Sequence, residues 1–159
     1  MDSRKRFYSI IDIGSNSIRL VIYAQEHSLR LHEVENVKAV ARLKNELDDD
    51  KQLTERGIEK LISTLQSFQE VVNNYELTEF ICVATATIRE AKNREEIKRR
   101  VYEATQWNMR VLSGQEEAYY GYLAVVNSTP IEEGFTVDIG GGSTEITYFK
   151  NRKLVENHS

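Results

Sequence analysis

A single cysteine excludes an internal disulfide in this chain of 159 residues. That residue, Cys82, lies in the apolar run Phe80-Ile81-Cys82-Val83 and reads as a buried thiol, with no partner nearby to mark it as a nucleophile. No apolar run approaches the ~18 residues of a membrane-spanning helix. The charged start, Met1-Asp2-Ser3-Arg4-Lys5-Arg6, lacks the long apolar stretch of a secretory signal, because Asp12 breaks the apolar run that begins at Phe7. Excess positive charge is also missing: the formal net charge is -4, which argues against general nucleic-acid binding and still permits a local basic pocket for an anion. Together these absences describe a cytoplasmic, soluble chain of about one domain, long enough to bury a core.

What is present is a glycine-rich stretch, Thr136-Val137-Asp138-Ile139-Gly140-Gly141-Gly142-Ser143-Thr144-Glu145. An apolar run ends in a carboxylate, three glycines and two hydroxyls come next, and a second carboxylate closes it. Phe135, Val137 and Ile139 before the glycines, and Ile146 and Tyr148 after them, alternate with polar residues, which is strand chemistry. The glycines therefore form the tip of a β-hairpin, where backbone N–H groups are free to turn toward an anion. A Walker A loop is excluded, because no lysine follows the glycines. The pattern occurs twice. Asp12-Ile13-Gly14-Ser15-Asn16-Ser17-Ile18-Arg19-Leu20 aligns without a gap on residues 138–146, with Asp, Ile, Gly and Ser matching in place. One copy alone would read as an ordinary turn; two matching copies suggest duplicated architecture, a jaw closing on a polyanion. Its carboxylates would repel bare phosphate, so a divalent cation or a bound water should sit between.

In chain order, residues 7–13 read as a buried strand, residues 14–17 as the first tip, a second strand runs on from Ile18, and residues 29–40 form a third, in an antiparallel meander. Asp48-Asp49-Asp50 reads as a solvated loop rather than a metal site. Thr54 caps a long amphipathic helix running to about Asn74, buried through Ile58, Leu61, Leu65 and Phe68. Residues 80–84 form a short parallel strand. Thr85-Ala86-Thr87-Ile88-Arg89 lies at its C-terminal end, where open α/β sheets place ligand groups. Arg89 has two readings there, a phosphate contact or a surface salt bridge to Glu90 or Glu95. Asn93 to Glu96 reads as a capping box before a helix buried through Ile97, Val101 and Ala104. Residues 109–112 form a strand. A second capping box, Ser113 with Glu116, opens the next helix, which runs to about Asn127. It occupies Glu116 and leaves Glu117 without a structural duty beyond the helix dipole. Pro130 opens a turn, the second tip comes after it, and residues 153–157 add a strand.

The order β-β-β-α-β-α-β-α is that of an α/β, ribonuclease-H-like mixed sheet with helices on both faces. Residues 1–128 make one lobe, and residues 129–159 begin a second, incomplete one. The chain is thus expected to be the N-terminal part of a two-lobed protein. The unpaired edge of the final hairpin favours pairing with another chain, in a homodimer for instance.

Four segments carry a resemblance: DIGSNSIRL at residues 12–20, VATATIREAKN at 83–93, SGQEEA at 113–118 and DIGGGSTE at 138–145. Together they resemble the exopolyphosphatase / guanosine-pentaphosphate phosphohydrolase (Ppx/GppA) family of the actin-like superfamily. The resemblance implies removal of terminal phosphate from polyphosphate or guanosine pentaphosphate, with magnesium or another divalent cation. It implies Glu117 as the base for the attacking water and Asp138 as its helper. Gly14, Ser15, Asn16, Ser17, Gly140, Gly141, Gly142, Ser143 and Thr144 would hold phosphate oxygens. Arg19 and Arg89 would neutralise substrate charge, and Asp12, Asp138 and Glu145 would be linked to the metal. Where the family often carries Gly-Glu-Gly after an Arg-Leu pair, this chain has Lys44-Asn45-Glu46 after Arg42-Leu43. Two rival readings are an ATP-dependent kinase of the same superfamily and a phosphate or alarmone sensor without turnover.

Overall fold

The computed structural model describes residues 5–26 and 30–159. Five strands, β1 (Arg6–Ile13), β2 (Ser17–Gln25), β3 (Leu31–Val40), β4 (Leu77–Ala84) and β5 (Met109–Val111), make one sheet in the order β3-β2-β1-β4-β5. The first three form an antiparallel meander, and β4 and β5 join parallel to β1. This is the ribonuclease-H-like sheet expected from the element order. Leu29, expected in the third strand, lies outside the described residues.

Alternation along the strands sends Ile11, Ile13, Ile18, Leu20, Ile22, Cys82 and Ala84 to one face. Helices α1 (Glu55–Val72) and α3 (Arg94–Thr105) cover that face with Ile58, Leu61, Leu65, Phe68, Ile97 and Val101, giving a single continuous core. Burial pushes the Cys82 thiol up to about 12, as a core cysteine requires. Thr54 caps α1 by accepting from the Gly57 N–H at 3.2 Å. Gly57 is required by packing: a Cβ there would lie 2.7 Å from Glu46 Cβ and 2.9 Å from Leu53 Cδ1. Gly57→Ala should therefore lower stability by about 1–3 kcal/mol despite alanine's better helix propensity. Gly121→Ala, where a Cβ meets nothing within 4 Å, should raise it by about 1 kcal/mol. Opposite shifts in the thermal midpoint would verify the pair.

One local expectation changes. Asn93 does not cap α3. Its side chain instead accepts from the Leu53 N–H and donates to the Leu53 carbonyl, both at 3.0 Å, tying the start of α3 to the entrance of α1. The Asp48-Asp49-Asp50 run is the exposed loop expected, a turn in which the Asp48 carboxylate accepts from the Asp50 and Gln52 N–H groups.

The end of the chain is more than a hairpin. β6 (Gly134–Ile139), β7 (Thr144–Lys150) and β8 (Lys153–His158) form a separate three-stranded antiparallel sheet. Helix α4 (Gly114–Ser128) packs on this sheet through Tyr122, Val126 and Phe149. Thr147 Oγ1 donates to the Ala118 carbonyl, and Tyr122 Oη donates to the Arg152 carbonyl. The helix expected in the first lobe thus packs with the second sheet. It also faces the second side of the first sheet, across a cleft of about 440 Å³ that leaves Ile10 and Ile81 37% and 41% exposed. Among the described residues no helix is long and apolar enough to cross a membrane.

Candidate functional site

The two repeated segments are hairpin tips of the same construction. The register pairs Asp12 with Arg19 and Ile13 with Ile18 in one, and Asp138 with Glu145 and Ile139 with Thr144 in the other. Each tip is closed by an equivalent backbone bond at 3.0 Å, Gly14 N–H to the Ser17 carbonyl and Gly140 N–H to the Ser143 carbonyl. No glycine of the chain has positive φ. The tip glycines serve close approach instead. A Cβ on Gly142 would collide with Ser15 Oγ and lie 2.9 Å from Ala86 Cβ; one on Gly141 would lie 3.3 Å from Asn16 Cβ. The tips therefore face and touch each other.

Backbone groups of the first tip are fixed on one side. The Ala41 and Arg42 N–H groups donate to the Asn16 carbonyl, and the Lys44 N–H donates to the Ser15 carbonyl. Among the described residues, no hydrogen bond uses the N–H groups of Ser15, Asn16, Gly141, Gly142 or Ser143. Unsatisfied donors gathered in this way suit an anion.

Glu117 completes the site. In the first turn of α4, Ser113 and Glu116 form the expected reciprocal capping box, and Glu116 also pairs with Arg110. Glu117, one residue on, lines a cavity of about 230 Å³ together with Asp12, Asp138 and both tips. Its carboxylate accepts from Arg89 Nη1 at 2.8 Å, with the two side chains 21% and 20% exposed. Arg89 also donates to the Leu112 carbonyl. It is carried by a short helix, α2 (Ala86–Glu90), directly after β4. The pairing replaces both partners anticipated for Arg89, Glu90 and Glu95.

Burial raises the pKa of two of the acids, Glu117 and Asp12. Desolvation holds Glu117 above the usual carboxylate range; Arg89 pulls it down, while Glu145 and Asp12 push it up. Water reaches Asp12 along the cleft, but protein surrounds most of the carboxyl group, and this desolvation raises its pKa. Arg19 works against that rise and Asp138 adds to it.

Of the anticipated residues, Asp12, Gly14, Ser15, Asn16, Ser17, Glu117, Asp138, Gly140, Gly141, Gly142 and Ser143 line the one cavity. Arg89, Ser143 and Thr144 line an adjoining open cleft of about 610 Å³. Arg19 lines neither and acts on Asp12 through its charge. Glu145 is 3% exposed on the α4 side of β7, where Ser159 Oγ donates to it at 3.0 Å. Among the described residues no three His, Cys, Asp or Glu side chains converge as a metal site; Glu145 lies near enough to push up the Glu117 pKa. Asp12 and Asp138 remain as a carboxylate pair, which suits a magnesium ion that takes its other ligands from water and phosphate. Sequence reasoning did not select Thr85 and Ala86, which line the cavity, although their place after β4 was the available signal. It also left open the contacts of Lys44, whose Nζ donates to the Gly141 carbonyl at 3.0 Å.

Known proteins resemble this chain over most of its length. Exopolyphosphatase 1 of Mycobacterium tuberculosis is 31% identical over 140 residues, covering 87% of this chain and 41% of the relative. The structure of the Aquifex aeolicus PPX-GPPA enzyme matches with a TM-score of 0.86 at 33% identity, over 98% of this chain and 52% of that one. An exopolyphosphatase from Cytophaga hutchinsonii shares the fold, with a TM-score of 0.90 at 22% identity, over 96% of this chain and 49% of that one. The chain thus spans about two fifths to one half of the length of these proteins. The sequence profile of the Ppx/GppA phosphatase family matches residues 20–159, and the chain belongs to that family.

Proposed function

We propose that the chain forms the phosphate-gripping part of a phosphoanhydride hydrolase that releases terminal phosphate from inorganic polyphosphate or from guanosine pentaphosphate. The observation that carries this reading is the convergence of both tips and the Glu117 carboxylate on one small cavity. Free tip N–H groups, with the hydroxyls of Ser15, Ser17 and Ser143, receive phosphate oxygens. Glu117 takes a proton from a water in line with the terminal phosphorus, and Asp138 helps to hold that water. The water oxygen bonds to phosphorus as the bridging P–O bond breaks, and the shortened chain leaves with the bond's electrons. Arg89, between Glu117 and the open cleft, neutralises charge on the departing chain. Magnesium or another divalent cation, held by Asp12 and Asp138, would supply further charge neutralisation. The reading places the protein in the cytoplasm, with neither DNA nor a membrane as partner. A second copy would pair through the free edges of β6 or β8.

The raised Glu117 gives the reading a pH signature. A general base must be ionised, so activity rises as pH climbs through the Glu117 pKa, above the ordinary 4.5. Arg89→Gln removes the influence that lowers this pKa, so the acid limb of the pH–rate profile should move to higher pH. A limb that stays in place or moves to lower pH would contradict this assignment.

The decisive assay measures phosphate release from both substrates, with and without magnesium, by this chain and by the longest polypeptide that carries it. The 159-residue chain alone is expected to turn over slowly or not at all, because its clefts stand open. No phosphate from either substrate in either protein would refute the hydrolase. The sensor reading draws on the resting Arg89–Glu117 pair, which engages the base; it would then be favoured if phosphate chains still bind.

A further inference from the structure

Lys44 touches both tips. Its backbone N–H donates to the Ser15 carbonyl of the first tip at 3.1 Å, and its ammonium donates to the Gly141 carbonyl of the second at 3.0 Å. The foundation beneath it is firm. Arg42 adopts the left-handed region (φ 52°, ψ 45°), a conformation that residues other than glycine take only at a cost. This bend lets the Ala41 and Arg42 N–H groups share the Asn16 carbonyl at 3.0 and 2.8 Å. A 3-10 turn, Leu43–Glu46, comes next, anchored by the fully buried Leu43. The Lys44 side chain itself is exposed.

Arg89 is engaged by Glu117, and Arg19 stands across the hairpin from Asp12. The Lys44 ammonium meets a neutral carbonyl, and among the described residues no carboxylate lies in ion-pair contact with it. An ammonium bonds an anionic oxygen about twice as strongly as a neutral one. Lys44 does not line the cavity between the tips; it stands outside, bridging them. A single phosphate inside the cavity is served by the tip N–H groups, whereas a chain long enough to emerge over the tips meets the ammonium.

We propose that Lys44 is a specificity-determining residue for phosphate chains. Its ammonium leaves the Gly141 carbonyl for an oxygen of a non-terminal phosphoryl group, and so selects chains over orthophosphate. This rests on the hydrolase reading for the identity of the ligand, but binding tests it without turnover.

The test is calorimetric titration of the full 159-residue chain with linear tripolyphosphate and with orthophosphate. Wild type, Lys44→Met and Lys44→Arg are compared at two salt concentrations, about 50 and 200 mM. Lys44→Met should weaken tripolyphosphate binding about tenfold and orthophosphate binding less than about twofold. Lys44→Arg should restore tripolyphosphate affinity to within about threefold of wild type. The salt dependence of tripolyphosphate affinity should be flatter in Lys44→Met, because one screened attraction is gone. Loss of a purely structural clasp would leave that dependence unchanged. The proposal is overturned if Lys44→Met binds tripolyphosphate as wild type does, if both ligands weaken equally, if Lys44→Arg is as weak as Lys44→Met, if the salt dependence does not change, or if the wild-type chain binds no tripolyphosphate. Failure of the hydrolase reading would appear elsewhere, as absent phosphate release alongside an intact Lys44 effect.

Discussion

Glu117→Gln should lower kcat for phosphate release by about 10²–10⁴-fold, the usual contribution of a positioned general base, and change KM little. The substitution keeps the shape of the side chain and its ability to accept from Arg89. What it removes is the capacity to take a proton from water. Stability supplies the internal control. The folded-state pKa of Glu117 lies above the ordinary 4.5, so between those two pH values the native state holds more protons than the unfolded chain. Stability therefore falls as pH rises through that window, and the loss persists above it. A neutral glutamine escapes this loss. At pH 7 the variant should consequently unfold at the same temperature as wild type or higher, while its activity collapses. A lower thermal midpoint accompanying the lost activity would indicate structural damage instead of lost chemistry. Activity within a few fold of wild type would remove Glu117 from the base role altogether.

Gly142→Ala should reduce the affinity of the site for tripolyphosphate, and kcat/KM where turnover is measured, by about 10²-fold. The added methyl has nowhere to go. It meets Ser15 Oγ on the opposite tip and Ala86 Cβ at the start of α2. One of these elements must retreat, and the gap between the free N–H groups widens. Gly140→Ala is the matched control: its Cβ would lie 3.4 Å from the Ser143 carbonyl oxygen within its own tip and meet no atom of the first tip within 4 Å. It should cost a few-fold at most. Equal losses in the two variants would mean that the tips need flexibility rather than proximity; no loss in Gly142→Ala would mean that they do not work together.

Legibility in the sequence followed the range of each interaction. The Thr54 cap and the Ser113–Glu116 box depend on residues three apart, and both are readable from spacing alone. So is the separation of Glu116 from Glu117. Arg89 shows the limit. Its sequence neighbours offer Glu90 and Glu95, but its partner lies 28 residues away, on a helix whose approach depends on both sheets. Asn93 fails for the same reason, since Leu53 is 40 residues distant and an asparagine can satisfy either a cap or a remote backbone. The tips are legible as a repeat, because their closing bonds are local. Their contact is not, since only three-dimensional packing sets Gly142 against Ser15. The burial of Glu145, 3% exposed, is not legible either, because its alignment within the repeat says nothing of the helix that covers it. The packing of α4 is likewise set at a distance: chain order groups it with β5, whereas Tyr122, Val126 and Phe149 bind it to the later sheet.

The register of the two hairpins pairs Asp12 with Arg19 and Asp138 with Glu145. The halves of the clasp thus share a backbone and differ in sign: one aspartate faces a cation across its ladder, the other faces a second acid. The interior of a phosphate polymer looks alike in either direction. On the proposed function, a grip with one compensated end and one bare end would not treat the two directions alike, and would lay the strand down with a defined heading, its tail always toward the same mouth.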